Sequence, residues 1–140
     1  MTTFNTSREI PASPDQVFAV FSDSKRLAQW WGPDGFTNSF DVCEFKTGGQ
    51  WIFTMHGPDG RDYPNECVFS EIESPNKIVI QHVCEPRFTL TIVLNATESG
   101  TILSWSQAFE NDKFAKKMED FLKGANEQNI DRLVTELQQK

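Results

Sequence analysis

Residues 77–109 read KIVIQHVCEPRFTLTIVLNATESGTILSWSQAF, and their period decides the fold. Apolar side chains recur at every second position: Ile78 and Ile80, then Phe88, Leu90, Ile92 and Leu94, then Leu103, Trp105 and Phe109. A period of two marks strands with one buried face. Ser99-Gly100 joins the last two runs as a tight turn. Upstream, Gln50–Gly57 sets Trp51, Phe53 and Met55 against Gln50, Thr54 and His56, and Arg61–Glu73 alternates Tyr63, Asn65, Cys67 and Phe69. Pro58-Asp59-Gly60 turns between them, because Pro presets φ and Gly permits φ above zero. Phe36–Lys46, ahead of Thr47-Gly48-Gly49, is one more strand. Six consecutive strands with short turns predict an antiparallel meander.

The flanks complete the order of elements. Phe4–Ile10 alternates loosely and predicts an opening strand that Pro11 stops. Ser13, Pro14 and Gln16 stand at the N-cap, first and third positions of a capping box, so Pro14–Phe21 is a short helix. Asp23-Ser24 caps a second, Lys25–Trp31, which Gly32-Pro33 ends. Asp112–Gln139 predicts one long helix with Phe114, Met118, Phe121, Leu122, Ala125, Leu133 and Leu137 on a single stripe. Gly124 inside it costs about 1 kcal/mol against Ala, which suggests close packing or a bend.

This order predicts an α+β domain spanning residues 1–140: a seven-stranded curved antiparallel sheet around the C-terminal helix, with two short helices between strands one and two. A curled sheet gripping one helix leaves a gap between the layers. Tyr63, Asn65, His82 and Gln107 interrupt the inward apolar faces. Polar groups cost about 1–3 kcal/mol each when buried unpaired, so they point to a lined cavity rather than solid packing.

Composition narrows the partners. With 13 basic against 20 acidic residues the net charge is −7, and no basic stripe is present, which excludes nucleic acid as the main partner. No apolar run is long enough for membrane insertion, and MTTFNTSREI lacks the features of a secretory leader. The three cysteines, Cys43, Cys67 and Cys84, form no CxxC pair and are expected to be reduced thiols in the cytoplasm. They read as small buried hydrophobes, so neither a metal nor a cofactor is expected. The expected site binds a small hydrophobic or aromatic molecule. Trp31, Trp51, Phe53, Met55, Phe69 and Trp105 are its walls, with Tyr63, Asn65, His82 and Gln107 as polar contacts. His82 is the one candidate for catalysis: an imidazole in an apolar cavity moves protons near neutral pH, and pairing with Tyr63 would support a cyclase- or dehydratase-like reaction.

The same residues carry a resemblance. Trp30-Trp31-Gly32-Pro33, Gly48-Gly49-Gln50-Trp51-Ile52-Phe53 and His56-Gly57-Pro58-Asp59-Gly60, in this order of elements, resemble the START-like, birch-pollen-allergen-like superfamily, also labelled SRPBCC. Tyr63-Pro64-Asn65, Phe69-Ser70-Glu71-Ile72, Ser74-Pro75-Asn76-Lys77-Ile78 and Ala125-Asn126-Glu127-Gln128-Asn129-Ile130-Asp131-Arg132-Leu133 extend it toward proteins related to the C-terminal domain of the activator of the heat-shock-protein ATPase. The resemblance implies a helix-grip fold with a cavity between sheet and last helix, and it hints at a chaperone partner and a stress-response setting. It implies no single chemistry. Many relatives have a Gly-Trp pair where this chain has Glu127-Gln128, which is expected to make the helix more polar at the cavity. A homodimer through an edge strand or open sheet face is a further expectation.

Overall fold

The alternating stretches pair into one antiparallel sheet in this computed structural model, which describes residues 1–138. The elements are β1 (Thr2–Ile10), α1 (Pro14–Ser22), α2 (Ser24–Trp30), β2 (Thr37–Cys43), β3 (Gly49–His56), β4 (Asp62–Glu73), β5 (Lys77–His82), β6 (Phe88–Ala96), β7 (Thr101–Phe109), α3 (Asp112–Lys117) and α4 (Glu119–Leu137). The spatial order is β1-β7-β6-β5-β4-β3-β2, so the meander runs unbroken from β2 to β7 and β1 returns to flank β7.

Register aligns the inward side chains into rows across the strands. Phe109 faces Phe88, Phe88 faces His82, His82 faces Cys67, and Cys67 faces Trp51. The next row runs Phe4, Gln107, Leu90, Ile80 and Phe69. The register shifts between Phe40 and Val42 in β2 and between Phe69 and Glu71 in β4. Such bulges bend a strand and raise its twist, which curls this end of the sheet.

Local chemistry sets the helix ends. Ser13 Oγ accepts from the Gln16 amide at 3.2 Å, and Gln16 Oε1 accepts from the Ser13 amide at 2.9 Å, completing the expected capping box. Asp23 caps α2 by accepting from the amides of Lys25 and Arg26. Gly49 is required by crowding, since a Cβ there would lie 1.9 Å from the Glu44 carbonyl oxygen.

The C-terminal segment differs from the expectation of one helix with one apolar stripe. It divides at Met118, and Gln139 lies outside the described residues. The division lets α3 tuck Ala115 against Phe4 and Phe109 while α4 packs on α1 and α2. Phe121, expected to be buried, is 61% exposed, and the buried residues of α4 are Asn126, Asn129, Ile130 and Leu133. Gly124 does not pack closely, because a Cβ there would meet nothing within 4 Å, and α4 runs through it unbroken.

Since Gly124 is exposed and its surroundings are open, Gly124→Ala should stabilise the fold by about 0.5–1 kcal/mol through helix propensity. Urea denaturation followed by far-UV circular dichroism checks this: the midpoint rises, whereas a fall would show that the glycine is required.

Candidate functional site

Two apolar clusters fill the interior, and the space between them is the candidate site. The larger joins the sheet to α1, α2 and the C-terminal half of α4, and includes Trp31, Phe53, Cys67, Ile80, Ile130 and Leu133. The smaller joins Phe4, Phe109 and Ala115, with Phe88, Phe114 and Leu122 packed against it. A cavity of about 490 Å³ touches members of both, lying between the sheet and α4. Tyr63, 40% exposed, and Phe121 stand at its mouth beside the exposed carboxylates of Asp62 and Glu85.

Of the residues expected at the site, the structure brings Trp31, Phe53, Met55, Tyr63, Asn65, His82 and Gln107 to this cavity. Trp51, Phe69 and Trp105 are instead buried behind it. Trp51 stacks on Phe53 at 4.3 Å and on Phe69 at 5.4 Å, and Trp31 covers both Trp51 and Trp105 from the cavity side. Among the described residues the indole N–H groups of Trp51 and Trp105 have no hydrogen-bond partner. Of the tandem tryptophans, Trp30 is core, donating through Nε1 to the Val20 carbonyl at 2.9 Å, and Trp31 is cavity wall.

Sequence reasoning missed the α4 wall. Asn126 and Asn129, one helical step apart, line the cavity with Leu122 and Ala125. Asn126 Nδ2 donates to Gln107 Oε1 at 3.0 Å, directly linking helix to sheet. Asn129 Oδ1 accepts from the Gly32 amide at 3.1 Å. The signal was two amides in register with Ile130 and Leu133 on one helical face. The expected polar pair, Glu127-Gln128, points elsewhere: Glu127 bonds Arg8, and Gln128 Oε1 accepts from the Asp34 amide.

Arg132 builds the wall around Trp31. Its Nη1 donates to the carbonyls of Trp31, Gly32 and Pro33, and its Nη2 to those of Gln29 and Phe36, over 2.9–3.2 Å. Five carbonyls from the end of α2 and the turn after it thus converge on a single guanidinium, whose fixed fork suits such a cradle. Burial pulls the Arg132 pKa down, opposed by the charge of Asp34. The turn carries Trp31, Gly32, Pro33 and Phe36, all of which line the cavity. A turn rich in Gly and Pro, with carbonyls left over, was the available clue.

His82 is held at both nitrogens. Nδ1 lies 2.7 Å from the Pro86 carbonyl, which only accepts, so Nδ1 carries a proton. Nε2 lies 2.7 Å from Asn65 Oδ1 and 3.6 Å from Cys84 Sγ, while the ring stacks on Phe88 at 4.6 Å. A neutral ring accepts there from the Cys84 thiol, whereas an imidazolium donates to Asn65 Oδ1. Burial lowers the His82 pKa, opposed by the Pro86 and Cys84 backbone and the charge of Glu85. Tyr63 does not pair with it: the Tyr63 hydroxyl donates to Asp59 Oδ2 at 3.2 Å. Burial also pushes the Cys67 thiol up, which suppresses thiolate chemistry there. Among the described residues no group of three His, Cys, Asp or Glu side chains could hold a metal ion, and no helix is long and apolar enough to cross a membrane.

A curved antiparallel sheet gripping a long C-terminal helix, with two short helices inserted after the first strand, defines the helix-grip class. The model of the activator of Hsp90 ATPase homolog 1-like (AHSA1) family matches residues 11–138, and the chain belongs to that family. Solved structures share the fold. A protein from Arthrobacter aurescens is 25% identical with a TM-score of 0.88, over 96% of this chain and 85% of that one. One from Chromobacterium violaceum is 21% identical with a TM-score of 0.87 over the whole of both chains. The AHSA1 protein from Silicibacter pomeroyi is 20% identical with a TM-score of 0.77 over 97% of each. No curated protein matches the chain.

The lowered His82 pKa has a signed consequence. Unfolded, the ring takes up a proton near its ordinary value of 6.5, whereas folded it resists one, so stability falls as pH drops below 6.5. Denaturation midpoints measured from pH 7.5 to 5 should decline more steeply in the parent protein than in His82→Gln. Parallel declines would place the sensitivity elsewhere.

Proposed function

We propose that this protein binds one small, largely apolar or aromatic molecule in the cavity between sheet and α4 without transforming it. The observation that carries the reading is the cavity itself. At about 490 Å³, walled by Trp31, Phe53, Ile80 and Phe88 and punctuated by amides, it has the size and lining of a small-molecule site. Aromatic walls supply apolar contact, and a few polar groups fix orientation. The non-catalytic reading draws on His82, whose Nδ1 is tied to the Pro86 carbonyl and whose Nε2 is flanked by Asn65 Oδ1 and Cys84 Sγ, and on Tyr63, which is turned to Asp59. A general acid or base needs a free position within reach of substrate.

Trp31 lines the cavity and packs against Trp51 and Trp105, so an occupant perturbs coupled indoles. Titration with the uncharged probe 1-aminoanthracene should give a saturable change in tryptophan emission. Ala125→Trp, which places bulk in the cavity wall, should abolish it while far-UV circular dichroism shows a folded chain. Absence of saturable binding in the parent protein, or unaltered binding in Ala125→Trp, would contradict the reading.

A further inference from the structure

We infer that the molecule held in this cavity is electrically neutral and presents an accepting oxygen, such as a carbonyl, to the amides of Asn129 and the Asn126–Gln107 pair. The inference rests on the reading of the cavity as a binding site and adds the chemical class of its occupant.

Hydrogen-bond accounting supplies the first half. The Gly32 backbone N–H can only donate, so its bond at 3.1 Å fixes Asn129 with Oδ1 toward Gly32. Asn129 Nδ2 is therefore a donor, and among the described residues it has no protein partner. Asn126 and Gln107 share one bond, Nδ2 to Oε1. Turning both amides over reverses that bond, and either way one NH₂ and one carbonyl of the pair stay free. Across the cavity, His82 Nδ1 is committed to the Pro86 carbonyl, the neutral ring takes the Cys84 thiol at Nε2, and Asn65 Nδ2 is committed to the Tyr63 carbonyl. The α4 wall thus has more free donors than acceptors. An apolar molecule with no oxygen would leave those donors dry, at about 1–3 kcal/mol per unmet group.

Charge supplies the second half. The ionic side chains lining the cavity are Asp62 and Glu85, both acidic and both at the exposed mouth. Among the described residues neither Lys nor Arg lines it. Arg132 lies behind Gly32, its guanidinium taken up by five carbonyls. An anion would pass two carboxylates and then lose its water with no cation to replace it. An ammonium would pass the mouth favourably but meet no carboxylate inside. A neutral oxygen pays neither penalty and satisfies the free N–H groups.

The test uses four probes on one ring system: 2-acetylnaphthalene, naphthalene, 2-naphthoate and 2-naphthylmethylammonium. Saturation-transfer NMR with competition against 1-aminoanthracene measures their affinities for the full chain. The ketone should bind at least tenfold tighter than either ion, and about fivefold tighter than naphthalene, the worth of one neutral hydrogen bond. Asn129→Asp keeps an oxygen for the Gly32 amide but exchanges the donor for an acceptor. It should erase the advantage of the ketone over naphthalene and raise the affinity of the ammonium, with amide NMR spectra showing an intact fold. Binding of 2-naphthoate as tight as the ketone, or a ketone advantage that survives in Asn129→Asp, would overturn the inference and leave the cavity a binding site. Failure of all four probes and of 1-aminoanthracene would overturn the underlying reading instead.

Discussion

Taking an amide side chain out of water without a partner costs about 1–3 kcal/mol, and α4 turns two amides, Asn126 and Asn129, toward the sheet. A helix with that face cannot settle onto an apolar sheet as a leucine stripe would. It settles only where each amide finds a partner, Asn126 with Gln107 and Asn129 with the Gly32 backbone. Below them, Ile130 and Leu133 are fully buried and anchor the helix in the main core. Above them, Phe114 and Leu122 join the smaller cluster. Between the two anchors, the polar step stops the interior from closing into one core, and the cavity lies at that step.

Ionic contacts set the remaining geometry. Arg8, on the inward face of β1, bonds both Glu127 and Asp131 on α4. Its guanidinium is held above its ordinary pKa: burial acts downward, but the bonds and charges of the two carboxylates outweigh it. This clamps one edge of the sheet to the helix, while the Arg132 cradle attaches the turn after α2 to the same helix farther along. Two arginines on opposite layers thus fix the helix at the sheet edge and at the turn after α2. Trp31, Gly32 and Phe36 reach the cavity from a turn whose carbonyls share one cation.

Much of this was legible in the sequence. Period-two runs from Trp51 to Phe109 produced the meander, and Ser13, Pro14 and Gln16 produced the first helix cap, because both depend on neighbours in the chain. Polar interruptions at Asn65, His82 and Gln107 pointed to the cavity, since strand alternation assigns each residue a face. The α4 wall was less legible. Ranking its helical face by apolar content favoured Phe121, which the division at Met118 leaves exposed, and passed over Asn126 and Asn129. Trp51, Phe69 and Trp105 were assigned the correct face but not the correct depth, because depth depends on Trp31 arriving from a distant turn. The Arg132 cradle spans about a hundred residues of sequence, beyond the reach of any local pattern.

A high-resolution crystal structure of the protein tests the central claim most directly, through the density beside Asn126, Asn129 and Gln107. An open cavity predicts an ordered water or small molecule within hydrogen-bond distance of Asn129 Nδ2 and of the free amide of the Asn126–Gln107 pair. Side chains filling that space, with each amide bonded to another protein group, would contradict it.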